Sequence, residues 1–162
     1  MLSSLPGNPV NENPAADLDF MHAALEEARH AAARGEVPVG AIVAIDGHVV
    51  ARSGNRTITD IDPTAHAEMV ALREAAVRIG NYRLLDAVMF VTIEPCVMCA
   101  GAMIQARIGR LVYGAADPKG GAVHSCFSIL DHPQLNHRVE VTAGVLAEES
   151  VALLRDFFAA RR

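Results

Sequence analysis

The order of apolar patterns predicts an α/β protein, a three-layer sandwich with a five-stranded mixed sheet between two layers of helices. Three observations carry this. Segments of helical period alternate with short β-branched runs along most of the chain. Asp46-Gly47, between two apolar runs, is a strong two-residue hairpin signal. Ala87 to Ile93 is a continuous apolar run, which suits a strand covered on both faces. At 162 residues the chain suits one domain with a real core.

Residues 1–16 hold three Pro, three Asn and a Gly, and read as a disordered leader outside a domain of residues 17–162. From Asp17 the pattern becomes helical. Leu18, Met21, Leu25 and Ala28 form a stripe, Asp17 or Asp19 can cap, and Gly35 can end the helix. Val37 to Ile45 and His48 to Ser53 read as the hairpin strands. Asn55 to Ala65 is a polar loop. A second helix runs from about His66 to Ile79, with Met69, Leu72, Ala76 and Ile79 facing inward and Gly80 beyond its end.

Pro95 closes the central strand, and a third helix rich in small residues covers about Cys96 to Ala106. Leu111 to Gly114 is a short strand, followed by a Gly-rich loop from Ala115 to His124 and a short helix near Phe127 to Leu130. Arg138 to Ala143 and Ala147 to Ala160 read as the last strand and last helix. The order α-β-β-α-β-α-β-α-β-α places helices on both faces of the sheet.

Composition removes several classes of function. No apolar run approaches the ~18 residues of a membrane span. No Lys or Arg precedes Arg29, so a basic secretory signal is missing and a cytoplasmic address is expected. Three cysteines, two of them three residues apart, do not make a disulfide framework. The net charge of −5 argues mildly against a nucleic-acid partner, although the field at a site matters more than the sum. Basic residues do gather, Arg107 with Arg110, and Arg155 with Arg161 and Arg162.

The chemistry-bearing segments are His66-Ala67-Glu68 and Pro95-Cys96-Val97-Met98-Cys99, each at the start of an expected helix. A Cys-x-x-Cys pair at a helix start brings two sulfurs toward one point, and the helix N-terminus favours the thiolate form. With one imidazole this makes a three-ligand N/S set, which selects zinc over hard cations. Three ligands rather than four is the count of a catalytic site with a position for water, whose pKa would fall from ~9 toward ~7. Glu68 is the expected proton carrier. It lies two residues from His66, a turn of roughly 200° on an ideal helix, so spacing alone does not bring the two together. Cys-x-x-Cys alone also fits a redox pair or a structural zinc module, and His-x-Glu alone says little. In this order, with a strand and Pro before the first Cys, they match the zinc nucleobase deaminase signature.

Val91-Thr92-Ile93-Glu94-Pro95-Cys96-Val97-Met98-Cys99-Ala100-Gly101-Ala102-Met103-Ile104 resembles the core of bacterial tRNA adenosine deaminases, of cytidine-deaminase-like fold. Further matches are Glu36-Val37-Pro38-Val39-Gly40-Ala41, Asp62-Pro63-Thr64-Ala65-His66-Ala67-Glu68, Asn81-Tyr82-Arg83-Leu84 and Asn136-His137-Arg138-Val139-Glu140. The resemblance spans Leu18 to Arg162. It implies one zinc ion per subunit on His66, Cys96 and Cys99, with Glu68 as proton shuttle. It also implies that Asn55 bonds the target adenine, that backbone around Ala67 meets the base edge, and that Asp117, with Lys119 nearby, touches a ribose hydroxyl. Phe158 and the arginines around it would help hold the RNA loop. The partners implied are a tRNA anticodon stem-loop and a second copy of the chain, with no membrane.

Some members of that family carry Arg where this chain has Ala116, so one phosphate contact is missing or supplied elsewhere. Asn55 and Asp117-Pro118 also suit plain turns, and Phe157 and Phe158 also suit a core. The implied reaction is hydrolytic. Water adds at C6 of adenine, Glu68 protonates N1, and the same carboxyl carries a proton to departing ammonia. One rival keeps this chemistry on free bases or nucleosides, guanine or cytosine. The other is a zinc module that binds without catalysis.

Overall fold

The computed structural model describes residues 12–162. Its elements are α1 (Pro14–Ala33), β1 (Gly40–Ile45), β2 (His48–Gly54), α2 (Ala67–Ile79), β3 (Val88–Ile93), α3 (Val97–Ala106), β4 (Arg110–Ala115), β5 (Glu140–Thr142) and α4 (Ala147–Ala159). The sheet order is β2-β1-β3-β4-β5. β1 runs antiparallel to both β2 and β3, while β3, β4 and β5 are mutually parallel. The sheet is mixed and five-stranded, as its sequence predicts. Asp46 and Gly47 turn the hairpin with φ of 51° and 76°, the doubly left-handed geometry such a turn requires.

Strand residues alternate between two cores. Ala41, Val43, Met89, Val91, Leu111 and Tyr113 face one side, where they pack with Ala67, Ala71 and Leu72 of α2 and Cys99 and Met103 of α3. Ile42, Ala44, Phe90 and Val112 face the other, against Met21 and Ala24 of α1. β1, β3 and β4 are therefore buried on both faces, which is why they read as continuous apolar runs. Among the described residues, no helix is long and apolar enough to cross a membrane.

Several details depart from the sequence reading. Of the leader expected at 1–16, residues 1–11 lie outside the described residues, and Pro14 to Ala16 are the first turn of α1. The cap is Asn13, whose Oδ1 accepts from Ala16 N–H at 3.2 Å, rather than Asp17 or Asp19. Leu18 is largely exposed, and its expected place is taken by Asp17, which is buried. On α2 the inward stripe is Ala67, Glu68, Ala71, Leu72 and Ala75, one step around the helix, and Ile79 is exposed. Gly80 does cap α2, at φ 73°.

No helix forms at Phe127 to Leu130. The backbone N–H groups of Cys126 and Phe127 bond Gly121 O, and that of Ile129 bonds Ala122 O, so the segment folds back on its own loop. β5 is also shorter than expected, only Glu140–Thr142.

Asp17 explains its own burial. Arg110 donates Nη1 to its Oδ1 at 2.9 Å and Nη2 to its Oδ2 at 2.6 Å, and Nη2 also reaches Thr142 Oγ1 at 2.8 Å. This two-pronged pair joins α1 to β4 and β5 across 93 residues of chain. It also removes Arg110 from the basic cluster expected with Arg107. Asp17→Ala leaves the guanidinium buried and unpaired, and is expected to cost about 3–5 kcal/mol in denaturant unfolding.

Candidate active site

β3 ends at Ile93, and Glu94 and Pro95 lead to Cys96, the N-cap of α3 with φ −75° and ψ 177°. His66 holds the same position on α2, with φ −66° and ψ 152°. Neither side chain caps its own helix, so both are free to point across the gap between the two helix starts. His66 Nδ1 lies 3.6 Å from Cys96 Sγ and 3.5 Å from Cys99 Sγ. The three ligand atoms fall within 4.8 Å of one another. Among the described residues this is the one such cluster of three metal-ligating side chains. One nitrogen and two sulfurs at this spacing suit a borderline-soft ion such as zinc. Cys126 stands apart, exposed, with its thiol donating to Pro118 O at 3.2 Å.

The two cysteines share a charge unequally. A hydrogen bond from the Cys99 thiol, helped by His66, brings Cys96 down to about 3 against the cost of burial. Cys99 is pushed up by that same bond and by its own burial, so it keeps its proton. His66 is raised, chiefly through its bond to Cys96. Glu68 is almost fully buried in the first turn of α2, and desolvation raises it against the pull of Cys99 and His66. The extended backbone at His66 also lifts the geometric objection. The roughly 200° separation holds only between two helical positions, and His66 is not one.

The structure gathers the other expected residues unevenly. Asn55 Oδ1 accepts from the Ala67 N–H at 2.9 Å, so both sit at the start of α2 beside His66. This bond supplies the cap that His66 does not, and leaves the Asn55 amide nitrogen as donor. Asp117 lies in the loop after β4, where its Oδ1 accepts from the N–H groups of Lys119 and Gly120 at 3.1 and 3.2 Å. Lys119 is exposed. Phe158 is not brought to the cluster. It is half-exposed on α4, which lies with α1 on the opposite face, and its ring meets Phe157 edge-on at 5.3 Å.

Two further acids, unassigned by sequence reasoning, hold the loops beside the cluster. Glu36 is fully buried and accepts from Ile58 and Thr59 N–H groups at 2.7 and 2.9 Å, fixing the loop between Asn55 and His66. Glu94 accepts from Asp117, Val123, His124 and Ser125 N–H groups and from the Ser125 hydroxyl. Burial would raise Glu94, but these bonds outweigh it and bring the group down to about 2. The available signal was position, since each acid adjoins a run that enters the sheet.

A family model for MafB19-like deaminases matches residues 15–162. The chain belongs to this family. It is 50% identical over 147 residues to the tRNA-specific adenosine deaminase of Haemophilus influenzae, covering 90% of this chain and 85% of that protein. It is 50% identical to the Agrobacterium fabrum protein of the same name, over 88% of this chain and 94% of the relative. Among solved structures, a tRNA:A34 deaminase superposes with a TM-score of 0.81 at 50% identity, over 84% of this chain and 99% of that one. The guanine deaminase of Nitrosomonas europaea gives 0.73 at 26% identity, over 98% and 96%.

For a deaminase of this family, the cluster makes metal uptake a proton-releasing step. Cys99 must give up the proton that its surroundings favour before it can act as a ligand. Calorimetric titration with zinc in buffers of different ionisation enthalpy is expected to register net proton release. Cys96→Ala is expected to lose the metal and to melt at a lower temperature, since site formation and folding are coupled.

Proposed function

We propose that this chain converts adenosine to inosine by hydrolysis at the wobble position of a tRNA anticodon loop. One zinc ion per subunit would be held by His66, Cys96 and Cys99. The observation that carries the reading is a buried Glu68 carboxyl beside a cluster of three, not four, N/S ligands. A closed structural site has no use for such a carboxyl, which disfavours the binding module. Zinc bound there would supply Lewis acidity that makes water a nucleophile near neutral pH.

The chain's own residues then account for the proton movements. Glu68 takes a proton from water as oxygen adds to C6, and delivers it to N1 of the purine. A second transfer through the same carboxyl converts the amino group into ammonia, the C6–N bond breaks, and inosine remains. Burial of Glu68 keeps its protons from exchanging with bulk water during the transfer. Asn55, oriented by Ala67 N–H, has its amide nitrogen free to donate to the base, and the backbone at Ala67 lines the base edge. Asp117 and Lys119 would meet the ribose and phosphate beside the target, whereas Phe158 lies too far around the sheet to share that contact within one subunit.

Several lines support the RNA substrate over a free base. An anticodon loop offers an unstacked base at little unpairing cost. The 50% identity to tRNA-specific deaminases stands against 26% to a guanine deaminase. Residues 17–162 would form one deaminase domain working in the cytoplasm, where tRNA is found. A homodimer fits the exposed Ile58 and Ile61 of one turn beside the site.

Nucleoside mass analysis after incubation with an anticodon stem-loop is expected to show inosine, and turnover of free guanine or cytosine alone would sink the RNA reading. Glu68→Ala is expected to keep its metal and fold while inosine formation drops by about 10²- to 10⁴-fold. Loss of metal in that variant, or retained activity, would remove Glu68 from the mechanism. Sedimentation of the wild type should give twice the chain mass.

A further inference from the structure

We propose that Glu94 is a positioning residue for substrate binding, whose buried carboxylate ties segment 117–125 to the strand end carrying Cys96 and so sets where Asp117 stands. The inference rests on the reading that Asp117 meets the substrate.

The carboxylate is saturated. Oε1 accepts from Asp117 N–H at 3.2 Å and from the Ser125 hydroxyl. Oε2 accepts from the N–H groups of Val123, His124 and Ser125 at 3.1, 2.9 and 3.0 Å. An ionised carboxylate offers about four lone-pair sites, so none remains for a metal, a water or a substrate. Glu94 therefore acts through the groups it holds rather than on the reaction.

Those groups span both sides of the site. Glu94 lies two residues before Cys96 in the chain. Its own N–H donates to Ala115 O at 2.8 Å, and Ala122 N–H donates to Pro95 O at the same distance. The loop is thus stitched at its beginning and again near its end to the junction between β3 and α3. The Glu94 side chain adds its bonds to Asp117 and to residues 123–125, and Tyr113 of β4 meets His124 Nδ1 through its hydroxyl at 2.6 Å. Gly121 fits only because it has no side chain, since a Cβ there would collide with the Glu94 carboxylate. Asp117, fixed through its N–H, then spends Oδ1 on Lys119 and Gly120 and keeps Oδ2 as an acceptor.

A glutamine of the same size would replace one accepting oxygen with an amide that faces incoming N–H donors. Glu94→Gln is therefore expected to loosen the loop without emptying the metal site. Hydrogen exchange at Val123, His124 and Ser125 should quicken about tenfold, with β1 and β3 amides unchanged. KM for an anticodon stem-loop should rise about tenfold while kcat stays within about threefold, a split that a general loss of fold does not give. Gly121→Ala should reproduce the split from the opposite side of the contact. If Glu94→Gln does not fold, Ser125→Ala removes one donor and should raise KM about threefold.

Unchanged exchange and unchanged KM would overturn the proposal, as would a fall in kcat at constant KM. If the wild type does not act on the stem-loop, the functional reading fails by itself. The exchange measurement then decides the clamp by itself, because a free base carries no ribose for Asp117 to meet.

Discussion

Everything at the site depends on two helix starts being set side by side with their cap side chains turned toward each other. β3 lies between β1 and β4, antiparallel to one and parallel to the other. α2 follows β2 and α3 follows β3, and the two helices pack on one face of the sheet. An N-cap side chain ordinarily accepts a hydrogen bond from its own helix, worth about 1 kcal/mol. His66 and Cys96 both forgo it. The imidazole and thiol meet instead, Cys99 joins from the first turn of α3, and the positive ends of both helices face the sulfurs. Asn55 offsets the loss at α2 by capping Ala67 from outside the helix.

The loops around this junction are irregular, yet they are not loosely held. Glu36 and Glu94 are buried carboxylates, and each gathers the N–H groups of one loop. Together they flank the cluster, one on the side of Asn55 and the other on the side of Asp117. A buried carboxylate is costly without partners, and irregular backbone is costly without acceptors. Each need answers the other. Residues on these loops become nearly as well placed as residues on strands, because each acid that holds a loop stands within a few residues of a central strand.

The same physics decides what could be read from the sequence. Period and turn chemistry are local, so the five strands and four of the five expected helices, the Asp46-Gly47 turn and the end of α2 at Gly80 were legible. The meeting of His66, Cys96 and Cys99 was legible because each stands at a helix start. Pairings between distant residues were not. Asp17 looked like a capping acid and Arg110 like part of a basic patch, because nothing within a few residues reveals a partner 93 positions away. Glu36 and Glu94 carried no role in the sequence reading for the same reason. The stripe on α2 was misplaced by one step because alanines, which carry little apolar signal, face the sheet where Ile79 was expected to. A helix was expected at Phe127 to Leu130, but the N–H groups of Phe127 and Ile129 find acceptors at Gly121 and Ala122 instead.

The net charge of −5, which weighed against an RNA partner, changes meaning once burial is known. Asp17, Glu36, Glu68 and Glu94 are buried, and Arg110 is the buried cation among the described residues. Three of the five net negative charges therefore lie inside the protein. Asp17, Glu36 and Glu94 are enclosed by donors, and Glu68 faces the cluster, where a bound cation would compensate it. Among the described residues, exposed Lys119 and Arg138 and half-buried Arg107 have no acidic partner within ion-pair distance. Arg107 instead donates to Asn136, and Arg138 follows two residues later on the same segment. Screening confines any surface charge to about 8 Å in physiological salt, so the total of −5 does not set the field that a small anionic ligand meets.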